Sequence, residues 1–137
     1  MVFTGARGPH VELMGAEFVD FDPASETITM RFVAPASFIT GRGGVQGGLV
    51  AGFLDEVMGW AHVRATNGAE APLNLDISMT LLKLIPPGPL LGKGRVVRRG
   101  RRVTFLEGEL FDESGTVTYA RATSTAIPTP VPTGGAA

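Results

Sequence analysis

One stretch of this chain has a strong helical period, yet it lacks the charged face that a surface helix normally carries. Val50, Phe53, Leu54, Val57, Met58 and Ala61 fall at i, i+3, i+4, i+7, i+8 and i+11. That spacing lines one side of a helix with apolar groups. A helix over residues 47–65 would run about 28 Å at 1.5 Å per residue. Gly48, Gly52 and Gly59 cluster opposite the stripe with Asp55 beside them, and Leu49 and Trp60 flank it. Only Asp55 and Glu56 are charged before Arg64. Glycine in a helix interior costs up to about 1 kcal/mol relative to alanine. Three of them on one side point to a chain or a ligand lying against that side, so both faces of the helix should be covered.

The rest of the chain supplies strands to do the covering. Residues 16–21 and 27–33 read as a hairpin across the turn Asp22-Pro23-Ala24-Ser25. Ile28, Met30 and Phe32 alternate with Thr27, Thr29 and Arg31. Residues 35–44 form a loop, and Asn67-Gly68 with Pro72 ends the helix. From Asn74 onward only strands are expected. Leu75, Ile77, Met79 and Leu81 alternate with Asn74, Asp76, Ser78 and Thr80. Further strands follow at 90–97, 103–111 and 117–127. The last carries a small-residue face, Ala120, Ala122, Ser124 and Ala126, suited to a closely packed helix. The predicted class is α+β, about six antiparallel strands curved around one long helix. The expected organisation is an N-terminal arm over 1–14, one domain over 15–127 and a disordered tail over 128–137.

Composition narrows the function. At 137 residues and 44% hydrophobic, the chain is one domain with a real core. A net charge of −1 gives no overall footprint for nucleic acid. The absence of cysteine excludes disulfides, thiol catalysis and Cys-ligated zinc. Two isolated histidines, His10 and His62, support no metal site. No apolar run reaches the roughly 18 residues of a membrane span, and the N-terminus lacks a secretory core. The expectation is a cytoplasmic domain without a membrane partner. Only 18% of residues are charged, which suggests surface covered by another subunit.

Three groups of residues can carry chemistry. Asp55 is a general base or nucleophile if its surroundings are apolar, or else a solvated helix residue. Gly43-Gly44-Val45-Gln46-Gly47-Gly48 enters the helix and exposes free N–H groups there. Such a terminus suits a phosphate or a developing oxyanion, or it is simply a tight turn. It lacks the Gly-Lys-Ser/Thr of a nucleotide-binding loop. Lys93, Arg95, Arg98, Arg99, Arg101 and Arg102 hold half of the 12 basic residues on one hairpin. They guard an exposed strand edge or meet a phosphorylated ligand.

Taken in order, Gln46-Gly47-Gly48, Asp55, Leu75-Asp76-Ile77-Ser78, Pro87-Gly88 and Arg99-Gly100-Arg101 resemble a hotdog-fold acyl-CoA thioesterase of the phenylacetic-acid-degradation (PaaI-like) type. The resemblance covers roughly residues 13–127. The family motif is His-Gly-Gly with an acid nine positions after the His, and Gln46 plus nine is Asp55. The resemblance implies a long helix wrapped by a curved sheet, and subunits paired around shared active sites, as a dimer or a dimer of dimers. The Gly47 N–H would polarise the thioester carbonyl. Asp55 from the partner subunit would attack it or activate water. Arg99, Arg101 or Arg102 would meet the phosphates of coenzyme A, and Asn74 or Ser78 would orient the water. Neither a cofactor nor a metal is implied. Gln46 stands where the family keeps His, and Thr40 where it often keeps Asn or Gln. A glutamine amide can donate a hydrogen bond but cannot be protonated near neutral pH.

The expected function is therefore hydrolysis of an aryl or medium-chain acyl-CoA, with Asp55, Gly47 and Gln46 as the catalytic set. Gly48, Thr40, Asn74, Ser78 and the three arginines would bind substrate. The alternative is a hotdog protein that binds acyl-CoA with little turnover. A hydratase is weaker, because Trp60 stands where one such motif wants His.

Overall fold

The periodic stretch forms one helix, α2, over Gly47–Ala65. All six residues of its stripe are fully buried. Its stop follows the signal in the sequence. Asn67 and Gly68 take positive φ (52° and 80°), and the Gly68 N–H reaches back to the Val63 carbonyl at 2.8 Å. This left-handed cap satisfies carbonyls that the helix leaves open.

The computed structural model describes residues 8–131. A short helix α1 (Pro9–Leu13) precedes strands β1 (Glu17–Asp22) and β2 (Thr27–Ala34). A 3-10 turn at Ala36–Phe38 leads to α2, followed by β3 (Glu70–Leu81), β4 (Gly88–Arg99), β5 (Thr104–Asp112) and β6 (Thr118–Pro130). The strands form one antiparallel sheet in the order β1-β2-β4-β5-β6-β3. The α+β class and the six strands agree with the sequence reading.

The helix lies on the sheet because the sheet's centre lacks side chains there. A Cβ added at Gly94 would sit 2.2 Å from the Val57 carbonyl oxygen, and one at Gly108 would sit 2.9 Å from Met58 Cγ. Only glycine lets β4 come this close to the helix backbone. The small face of β6 extends the same contact, with Ala120, Ala122, Ser124 and Ala126 all buried. Phe32, Leu90, Leu106 and Leu110 close the core around Phe53 and Leu54. Phe53 packs between two rings, 5.1 Å from Phe32 and 5.8 Å from Phe38.

The two flanks of α2 are covered unequally. Met14, just after α1, packs its Cε against Gly52, where a Cβ would lie 3.3 Å away. His10 Nε2 lies 3.1 Å from Glu56 Oε1, and Trp60 Nε1 donates to Glu56 Oε2 at 2.7 Å. The expected N-terminal arm is thus, over residues 9–13, a helix that covers the Glu56 flank. Its first seven residues lie outside the described residues. The opposite flank, with Gly48, Asp55 and Gly59, faces the edge strand β3.

Three boundaries differ from the sequence reading. β3 begins at Glu70, before Pro72 rather than after it. Pro72 sits opposite Pro128, so neither residue offers a donor at that rung, and an edge strand tolerates this. β6 continues through Pro130, and the Val131 N–H donates to the Ala69 carbonyl at 2.8 Å. The domain therefore extends past residue 127, into the first part of the expected tail. Residues 132–137 of that tail lie outside the described residues. Finally, the alternation along β3 breaks at Leu75. The register steps from Asn74 opposite Ala126 to Asp76 opposite Thr125, so Leu75 is an extra, exposed residue. The bulge puts Asn74, rather than Leu75, on the inner face with Ile77 and Met79.

At the C-terminal end of α2, His62 is fully buried, with Nε2 3.2 Å from Glu70 Oε1. Burial holds its pKa below the ordinary imidazole value, although Glu70 pulls the other way. Nearby, Arg99 grips Glu26 with two bonds, Nη2 to Oε2 at 2.6 Å and Nε to Oε1 at 3.2 Å. The guanidinium holds the Glu26 carboxyl below its usual range.

Two predictions follow from this packing. Gly94→Ala should destabilise the fold by about 3 kcal/mol or more, because backbone must move to admit the methyl group. Gly41→Ala, with nothing within 4 Å and no positive φ, should stay within about 0.5 kcal/mol of wild type in urea unfolding. The second concerns pH. The folded state keeps His62 neutral while the unfolded chain takes up its proton at the ordinary value. Stability should therefore fall as pH drops below about 6.5, and level off below the folded pKa. His62→Gln should flatten that limb. The loss from Glu26 should come separately, at lower pH, as its carboxylate is protonated. Thermal midpoints from pH 8 to about pH 3 measure both.

Candidate active site

The N-terminus of α2 is built from a pinned loop. The Val45 N–H donates to Ile85 O and the Gln46 N–H to Phe38 O, both at 2.9 Å. Thr40 closes the loop beneath them: its N–H and hydroxyl both bond Gly44 O, at 2.9 and 3.2 Å, and its Oγ1 accepts from the Arg42 N–H. Thr40 is thus engaged in shaping the loop. Gln46 is the N-cap residue, and its Oε1 accepts from the Leu49 N–H at 3.0 Å. The capping amide passes over Gly48, where a Cβ would meet Gln46 Oε1 at 3.0 Å. With its carbonyl tied down, the exposed Gln46 keeps its Nε2 as a separate donor, and the Gly47 and Gly48 N–H groups follow it in the chain. Those N–H groups, in the first turn, have no intrahelical acceptor. The helix dipole adds to their preference for negative charge.

Asp55 stands two turns further along. Its side chain is exposed, on the same face as Gly48 and Gly59. Asn74 Nδ2 on β3 donates to Asp55 Oδ1, and Asn74 Oδ1 accepts from the Ser124 hydroxyl on β6 at 2.7 Å. The second carboxylate oxygen of Asp55 has no partner among the described residues. Glu56, one residue on, points to the other flank, where Trp60 and His10 engage both of its oxygens. Adjacent carboxylates on one helix therefore have different capacities. Asp55 can take a proton or attack an electrophile at its open oxygen, whereas Glu56 is held.

The remaining candidates lie apart. Ser78 is on the outer face of the sheet, in a cavity of about 350 Å³ that also contains Thr80, Glu107, Glu109, Arg121 and Thr123. This cavity is across the sheet from Asp55, so it does not contain the reactive groups. Arg99 is paired with Glu26 near the C-terminal end of α2. Arg101 and Arg102 are exposed in the β4–β5 turn. No group of His, Asp and Glu able to hold a metal occurs among the described residues. No helix there is long and apolar enough to cross a membrane.

The structure thus brings Asp55 and Asn74 together, and gathers Gln46, Gly47 and Gly48 at the helix start. It separates both groups from Ser78 and from the arginines. Sequence reasoning missed Ser124, which it counted only as part of a small-residue face. The available signal was a hydroxyl at one position of a buried run that is otherwise alanine.

Residues 43–119 match the model of the thioesterase superfamily. No curated protein sequence matches the chain. Among solved structures, it is similar to a phenylacetic acid degradation-related protein from Ralstonia eutropha, at 26% identity and a TM-score of 0.81, over 90% of this chain and 93% of that one. A Streptococcus mutans protein bound to acetyl-CoA aligns at 21% identity and a TM-score of 0.72, over 84% and 89% of the two chains. The PaaI protein of the E. coli phenylacetic acid degradation operon aligns at 14% and 0.75, over 85% and 86%. The six-stranded sheet around a single long helix is the hotdog fold, and the chain belongs to the thioesterase superfamily.

Proposed function

We propose that this protein hydrolyses an acyl-CoA thioester, aryl or medium-chain, to the free acid and coenzyme A. The observation that carries the reading is Asp55: an exposed carboxylate on a glycine-cleared helix face, with one oxygen held by Asn74 and the other open. Adding water across the C–S bond needs a donor pair at the carbonyl oxygen and a nucleophile or base at the carbon. The Gly47 N–H and the Gln46 amide supply the donors. Asp55 either takes a proton from the attacking water, or attacks the carbon itself to give a mixed anhydride that water later hydrolyses to the free acid and the regenerated carboxylate. In either route the C–S bond breaks and the thiolate leaves to be protonated as coenzyme A. The exposed Arg101 and Arg102 receive its phosphates. Arg99 is engaged by Glu26, which offsets its charge, so it is not assigned to the phosphates.

One chain cannot assemble this set alone. Gly47 and Asp55 are eight residues apart on one helix, about 12 Å along its axis, too far to meet at one carbonyl group. A second copy supplies the missing half. β3 is a twelve-residue edge strand with neither Lys nor Arg, and Leu73 and Leu75 are exposed on it. Such an edge is a template for pairing. A two-fold copy docked there runs its α2 antiparallel to the first, bringing its helix N-terminus toward Asp55. The proposed assembly is a homodimer, or a dimer of such dimers.

Two measurements test this. Asp55→Ala should lower kcat by about 10² or more in a free-thiol release assay across aryl and alkyl acyl-CoAs. Near-full turnover by the variant overturns the role of Asp55. Binding of a non-hydrolysable acyl-CoA by wild type without thiol release from any substrate favours the binding protein instead. Gly47→Pro removes the N–H at the first helical position, where proline is well tolerated, and should lower kcat by about 10²–10³. Co-refolding Asp55→Ala with Gly47→Pro at equal amounts should restore about a quarter of wild-type activity. Half of the dimers are then mixed, and one of the two sites in each is intact. No recovery excludes a site shared between copies.

A further inference from the structure

We infer that Ser124 is a positioning residue for Asp55, acting through Asn74. The inference rests on the reading of Asp55 as the reacting carboxylate. Three observations carry it. First, the face of β6 against the helix requires only small residues, and Ala120, Ala122 and Ala126 meet that need. Ser124 adds a hydroxyl in this run at 3% exposure. A buried hydroxyl is unfavourable unless it is bonded, and among the described residues its bond goes to Asn74 Oδ1, at 2.7 Å.

Second, Asn74 reaches the inner face only because Leu75 is bulged out of the ladder. Counting back by twos from Met79 and Ile77, regular alternation would put Leu75 beside the helix. The bulge delivers an amide to Asp55 in place of an isobutyl group, a use of bulges to re-aim a side chain beside an active site.

Third, the Asn74 amide has two ends of nearly equal shape and opposite polarity. Only the Nδ2 end can donate to a carboxylate. The Ser124 hydroxyl, donating to Oδ1, gives the other end its own partner and fixes the amide plane. The chain of donors runs Ser124 Oγ to Asn74 Oδ1, then Asn74 Nδ2 to Asp55 Oδ1. Asp55 is thereby held through Oδ1, with its second oxygen left open. Without Ser124, Asn74 keeps one anchor of two, and the carboxylate samples orientations that do not reach the carbonyl carbon.

A double-mutant cycle with a spectroscopic readout tests this. Ser124→Ala should lower kcat about ten-fold and move KM less than about two-fold, because orientation of the reacting group is lost rather than substrate binding. In an Asn74→Ala background, Ser124→Ala should cost nothing further, since its only route to Asp55 is already gone. An undiminished kcat in Ser124→Ala overturns the inference. So does the same loss in both backgrounds, which is what a purely structural serine would give. The second readout needs no turnover. The side-chain NH₂ pair of Asn74, assigned by its disappearance in Asn74→Ala, should shift in ¹⁵N-correlated spectra of both Ser124→Ala and Asp55→Ala. A pair that moves in Asp55→Ala but not in Ser124→Ala overturns the inference. If wild type releases no thiol, the functional reading fails on its own, while the amide spectra still decide whether Ser124 orients Asn74.

Discussion

The close approach of α2 to β4 sets the geometry of the whole molecule. With a methyl group at residue 94 the Val57 carbonyl could not lie where it does, and the helix would be lifted off the sheet by the thickness of a side chain. At contact distance the stripe from Val50 to Ala61 is sealed completely. The helix is also held at a fixed rotation, because the glycine notch accepts only one side of it. That rotation decides what happens to neighbouring carboxylates. Glu56 turns toward α1 and is engaged by Trp60 and His10, whereas Asp55 turns toward β3 and keeps an oxygen open. A groove that recognises backbone thus assigns two acidic residues to different tasks.

Much of this was legible from the residues. The helix bounds 47–65 follow from apolar periodicity and the Asn67-Gly68 stop, and the structure has the helix at Gly47–Ala65. The inner faces of β2 and β6 follow from period-two alternation, because each packs on the core from one side only. What sequence pattern could not give is where the period slips. Leu75 looks like an inward residue of β3, and only the register against β6 shows that the ladder admits it as an extra residue. Pro72 read as a breaker because pattern alone does not reveal that its strand is an edge. Gly92, Gly94 and Gly108 attracted no notice among 19 glycines, since close approach depends on what lies opposite.

The site was legible in part for the same reason. Asp55 and the Gln46-Gly47-Gly48 start are local features of one helix, and spacing along a helix is readable. Asn74 and Ser78 are both polar residues of β3 in the sequence pattern, and the bulge places them on opposite faces of the sheet, with Asn74 beside Asp55. Ser124 could not be found from spacing, because it is fifty residues from Asn74 and meets it only through strand pairing. Thr40 and Arg99 were read for their charge or polarity. Their partners, Gly44 O and Glu26, lie where neither motif nor period points.

The substitution of glutamine for the family's histidine acquires a physical meaning from the cap. An N-cap side chain must accept a hydrogen bond from the first turn, and Gln46 Oε1 does so at the Leu49 N–H. An amide has a separate donor at its other end, so capping and donation do not compete. A neutral imidazole used as a cap has only one remaining N–H, and that N–H depends on its tautomer and on pH. Gln46 removes that dependence: its Nε2 donates at every pH at which the fold survives. In the proposed reaction, protonation near neutral pH then has no hold on the donor side of the site. The carboxylate lies on the other side, where Asn74 bonds Asp55 and Ser124 bonds Asn74. In that proposed reaction the remaining demand falls on the carboxylate side, at the contact between α2, β3 and β6, which is the contact the glycine notch in β4 puts in place.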